Sequence, residues 1–61
     1  MNETFYYIIV EVRGHKYFIN RDMDFTDDFD TVFKFEQREY AEEFIKHHNL
    51  KDKNPRVLSA E

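Results

Sequence analysis

Cysteine is absent from this sequence. That excludes disulfides and thiolate zinc sites, two common supports of a very small fold. Glycine and proline each occur once, at Gly14 and Pro55, a composition unlike that of disordered low-complexity chains. A lone Gly14 cannot make a glycine-rich phosphate loop. Ser59 is the one serine and lies near the end of the chain, so no serine nucleophile stands out. The longest apolar run, Phe5 to Val10, is far shorter than a membrane span. Met1-Asn2-Glu3-Thr4 has neither the basic region nor the apolar stretch of a signal peptide, and a cytoplasmic location is the default expectation. Positive charge is also scarce. Nine Lys and Arg face thirteen Asp and Glu, a net charge of −4 that ill suits gripping a phosphate backbone.

What the chain does have is aromatic surface. Seven Phe and four Tyr occur among 61 residues, and each ring can remove roughly 150–250 Å² from water. The length makes residues 1–61 a single domain with a thin core, burying only about 60% of its unfolded surface. Dense aromatic packing and self-association are the remaining means of support.

Phe5-Tyr6-Tyr7-Ile8-Ile9-Val10-Glu11-Val12 is aromatic and β-branched, the signature of a strand. Gly14 marks a hairpin turn, and Lys16-Tyr17-Phe18-Ile19-Asn20 reads as the returning strand. With Gly14-His15 as the loop, Val12 faces Tyr17 and Val10 faces Ile19. One sheet face then holds Tyr6, Ile8, Val10, Val12, Tyr17 and Ile19, the expected core. The other displays Phe5, Tyr7, Ile9, Glu11, Phe18 and Asn20. Thr26 is a good N-cap ahead of Asp27 and Asp28, which predicts a short helical turn over Thr26 to Thr31. Phe33-Lys34-Phe35 reads as a short third strand or extended connector.

Gln37 to His48 carries the clearest helical stripe, formed by Tyr40, Ala41, Phe44, Ile45 and His48. Acidic residues lie toward its start and Lys46, His47 and His48 toward its end, which complements the helix dipole. Glu42 and Lys46 form an attractive i,i+4 pair. Asn49 is suited to the position after the cap. Arg56-Val57-Leu58-Ser59-Ala60 predicts a closing strand. The expected fold class is α+β: a small two-layer ββ(β)αβ domain, its mostly antiparallel sheet packed on one main helix.

Five aspartates, Asp22, Asp24, Asp27, Asp28 and Asp30, crowd nine residues. Calcium is the first chemistry they suggest. Read as an EF-hand loop from Asp22, however, the segment has Asp27 where glycine is needed and Phe33 where the bidentate Glu belongs. His47 and His48 are adjacent and diverge by about 100° on a helix, so they cannot share an ion there. No metal, no cofactor and no enzymatic activity is expected. Two readings of the aspartates remain: a solvated loop with helix-terminal charges, or a surface that steers a basic partner. The second sheet face raises a similar choice. Phe5, Tyr7 and Phe18 form an apolar patch of the kind that marks an interface, unless the Phe25–Phe29 segment folds back over it. The candidate partner-binding residues are therefore Phe5, Tyr7, Phe18, Asp22, Asp24, Asp27, Asp28 and Asp30.

Phe25-Thr26-Asp27-Asp28, then Phe35, then Glu39-Tyr40-Ala41-Glu42-Glu43-Phe44-Ile45 resembles a pattern in small proteins of tailed bacteriophages and prophages. These open with a Tyr-rich hairpin and close with a strand after a Glu-rich helix. The likeness covers most of the chain, with departures at Phe25 (usually Trp), Val32 (usually Ala) and Gln37 (usually a capping Thr). It implies an accessory factor that binds and blocks a bacterial host protein, such as a defence or nucleic-acid-handling enzyme. Two rival expectations stand beside it. One is a homodimeric or higher-order assembly module using the same patch. The other, disfavoured by charge, is a small nucleic-acid binder that stacks bases on the aromatic face.

Overall fold

The computed structural model describes residues 4–60. The elements are β1 (Phe5–Val12), β2 (His15–Ile19), β3 (Phe25–Thr26), α1 (Arg38–His47) and β4 (Arg56–Ala60), with 3₁₀ turns at Phe29–Thr31 and Lys51–Lys53. The strands form one antiparallel sheet in the order β3-β2-β1-β4, with α1 against β1 and β4. The chain is thus a small α+β fold with one main helix.

The hairpin turns one residue earlier than the sequence suggested. Val12 pairs with His15 and Val10 with Tyr17, so Arg13-Gly14 is the loop rather than Gly14-His15. Both loop residues have positive φ, +54° at Arg13 and +81° at Gly14, as the twist-matched two-residue hairpin loop demands. Cross-strand partners slide by two positions, so face membership survives. Tyr6, Ile8, Val10, Tyr17 and Ile19 still look toward α1, and His15 joins them opposite Val12.

Ile8, Val10 and Ile19 are essentially inaccessible, and they cluster with Phe35, Ala41 and Leu50. Tyr6 and Tyr17 are only half-buried at the margins of this core, less covered than a core assignment implies. Ala41, Phe44 and Ile45 carry the contact face of α1, while Tyr40 is 54% exposed and His48 is exposed. The helix is one residue shorter at each end than the stripe Gln37–His48: Gln37 is an extended N-cap without a side-chain bond, and His48 is the C-cap. At the other end Asn49 adopts φ +56°. The Leu50 N–H bonds Ile45 O at 3.1 Å and the Asn49 N–H bonds Lys46 O at 3.3 Å, the Schellman closure. That closure tucks Leu50 into the core.

Between β2 and α1 the chain departs most from expectation. Phe25–Thr26 is not the start of a helical turn but a two-residue strand opposite Ile19 and Phe18. The turn is confined to Phe29–Thr31, and its cap is Asp28, whose carboxylate accepts the Asp30 N–H at 3.0 Å. Thr26 Oγ1 instead accepts the Asp28 N–H at 3.1 Å, bending the chain into that cap. Phe33-Lys34-Phe35 forms no strand. It is an extended connector pinned by Phe33 N–H to Ile19 O and by paired bonds between Phe35 and Tyr6, all 2.8 Å.

Candidate protein-binding face

The sheet surface opposite α1 is built by alternation. Phe5, Tyr7 and Ile9 of β1 point there with Phe18 of β2, and the β1–β4 register adds Leu58 beside Tyr7 and Arg56 beside Ile9. Phe29 lies on this face. Its ring centroid is 5.0 Å from that of Tyr7, 5.3 Å from Phe18 and 6.2 Å from Phe5. The Lys34 ammonium sits 5.0 Å from the Phe5 centroid and closes the cluster on one side. Phe5, Tyr7, Ile9 and Phe18 are consequently half-buried rather than freely exposed, and Phe29 itself is left 39% exposed. The Phe29 turn thus folds back over the aromatics, and Phe29 becomes their outward surface.

Phe25, the other residue expected to cover this face, goes elsewhere. Its partner Ile19 places it on the α1 side, where its ring stacks on Tyr17 with centroids 6.0 Å apart.

The five aspartates do not act as one patch. Asp28, the cap of the 3₁₀ turn, and Asp30 within it flank Phe29 in the chain. Together with Asp22 they line an open depression of about 560 Å³, into which Arg21 and Lys34 also project. Asp22 and Asp24 belong to a loop organised by Asn20, whose Oδ1 accepts the N–H of Asp22 at 3.0 Å and of Asp24 at 2.9 Å. Met23 takes a left-handed φ of +66° to close that loop. Asp27 is turned away from the others. Its Oδ1 lies 2.9 Å from His15 Nε2, and His15 packs on Tyr17 on the helix side, with centroids 4.3 Å apart. All five carboxylates are on exposed residues, and among the described residues no three His, Asp or Glu converge as a metal-ligand set.

Phe5, Tyr7 and Phe18 share one face, as strand alternation predicts, and Leu58, 38% exposed, joins them through the β1–β4 register. The alternation within β4 was visible, but its register against β1 was not. The arrangement is an aromatic centre with acidic residues beside its outermost ring, Phe29. Comparison with family descriptions, with curated proteins and with solved structures returned no match to this chain.

Proposed function

We propose that this protein is a non-enzymatic accessory factor of the phage type, which binds and inhibits a bacterial host protein in the cytoplasm. The observation that carries this reading is Phe29: a partly exposed ring fixed on Tyr7 and Phe18 between Asp28 and Asp30. Apolar centre and polar rim are the general anatomy of a protein interface, and aromatic anchors within such centres carry most of the binding energy. The acidic residues beside Phe29 favour a basic partner surface, such as one that otherwise meets nucleic acid. The chain's likeness to small phage proteins supports a host target.

The test is affinity capture from bacterial lysate with the wild type and the Phe29→Ser variant side by side. A stoichiometric partner that is retained by the wild type, depleted with the variant and inhibited when wild-type protein is added back supports the reading. Equal recovery with both proteins, or capture without any effect on the partner's activity, overturns it.

A further inference from the structure

β4 ends the sheet, and no strand lies beyond it among the described residues. The direction of its backbone groups follows from β1. Tyr6 exchanges both of its backbone bonds with Phe35, at 2.8 Å each, so at Tyr6 the β1 backbone faces away from β4. Bonding direction alternates along an antiparallel strand. Phe5, Tyr7 and Ile9 therefore face β4 and bond Ala60, Leu58 and Arg56, their register partners. Val57 and Ser59 are left with N–H and C=O turned outward. Arg38 is consistent with this: its guanidinium reaches Val57 O from outside the ladder, at 3.4 Å.

An edge of this kind normally carries a device against pairing, such as lysine, an interior proline or a bulge. β4 has none of these three in its own sequence, and the one cap on its outward groups among the described residues, the long, exposed Arg38 contact to Val57 O, is displaced on pairing. Its register with β1 is unbroken, Pro55 precedes it, and its one charged residue, Arg56, stands at its first position. Its sequence is also self-complementary. In an antiparallel pair centred on Leu58, Val57 meets Ser59 of a second copy, and these are the residues whose backbone groups face outward. Arg56 meets Ala60, so no like charges oppose one another, and Leu58 meets itself on the two-fold axis. Leu58 shares the face of Tyr7, so the apolar surface continues across the junction. We infer that β4 pairs with β4 of a second copy, antiparallel about Leu58, joining two four-stranded sheets into one.

Sedimentation equilibrium over a concentration series tests this. The wild type should show a reversible monomer–dimer equilibrium. Ser59→Pro deletes an outward N–H without touching the β1–β4 ladder, and should lower the association constant by about tenfold or more. Leu58→Lys sets two ammonium groups against each other on the axis. It should weaken the dimer comparably, with partial recovery at high salt. Phe29→Ser, which alters only the aromatic face, should dimerise as the wild type does. This also separates the inference from the proposed function, which depends on Phe29. A wild type that stays monomeric to its solubility limit overturns the inference. So does a Leu58→Lys or natively folded Ser59→Pro variant that dimerises like the wild type, or dimerisation lost through Phe29→Ser.

Discussion

Phe29 meets Tyr7 edge-on, with ring centroids 5.0 Å apart and planes inclined by 83°. The two residues are far apart in sequence, and their contact lets a three-residue turn lie across a sheet surface that α1 does not cover. Edge-to-face geometry places the positive rim of one ring against the negative face of the other. The chain thereby gains a second, shallower apolar cluster on the opposite side of the sheet from its core.

Removing that ring tests whether the cluster supports the fold. Phe29→Ala should lower the unfolding free energy by about 1–2 kcal/mol, because the ring is only partly buried and has several aromatic neighbours. Urea denaturation measures the loss. Apolar dye binding should rise at the same time, since Tyr7 and Phe18 become exposed. An unchanged midpoint with unchanged dye binding would mean the Phe29 turn is detached from the sheet in solution.

The hairpin loop makes a prediction of opposite sign at neighbouring positions. Gly14 has φ +81° and open space where a Cβ would stand, so Gly14→Ala carries only backbone strain, about 1–2 kcal/mol. Arg13 has φ +54° with a side chain poorly suited to it, and Arg13→Asn supplies the residue favoured there. That variant should be more stable than wild type by about 0.5 kcal/mol. Thermal melts of the two variants should bracket the wild type. Were both destabilised equally, the loop would not be Arg13-Gly14.

The helix, the two long hairpin strands and the closing strand were legible because each carries its own periodicity. Alternation in Tyr6-Ile8-Val10 and spacing in Ala41-Phe44-Ile45 report burial directly. Even the misplaced hairpin loop did little harm, since a two-residue slip keeps every side chain on its face. The segment from Asn20 to Phe35 was not legible for a different reason. Its structure depends on non-local bonds, Phe33 to Ile19 and Phe35 to Tyr6, and on competing short-range caps at Asn20, Thr26 and Asp28. Local composition favours a turn at several of these places, and only the sheet decides which one forms. The candidate site inherits the same division: Phe5, Tyr7 and Phe18 could be grouped by alternation, whereas Leu58 and the separation of Asp27 from Asp28 depend on tertiary register.

Phe44 links α1 to the connector. Its ring stands 5.4 Å from Phe35 and 5.6 Å from Phe33, and His48 packs on it at 4.3 Å. Phe44→Ala should cost about 3 kcal/mol, the low end for a truncated Phe because its site is half-buried. For a domain this small that is a large share of total stability. A melting temperature within a few degrees of wild type would show that the Phe33–Phe35–Phe44 packing contributes little.

Once a partner is captured, charge and contact can be separated by kinetics. Asp28→Asn combined with Asp30→Asn removes two charges from beside Phe29 with little change of shape, and Asn caps a turn nearly as well as Asp. Exposed charges act on approach more than on the docked state, so association should slow several-fold at low salt. Its dependence on ionic strength should flatten as well, because fewer charges remain to be screened. Asp27→Asn should change the rate less, since that carboxylate is engaged by His15 on the other side of the sheet. Phe29→Ser leaves the charge intact and removes the central ring. It should leave association nearly unaltered and speed dissociation by about tenfold or more, the behaviour of a contact hot spot. Surface plasmon resonance at two salt concentrations resolves these rates, with far-UV circular dichroism confirming that each variant is folded. Wild-type association by the Asp28/Asp30 double variant at low salt would reduce the acidic turn to a solvated loop. Wild-type dissociation by a folded Phe29→Ser variant would move the interface off this face altogether.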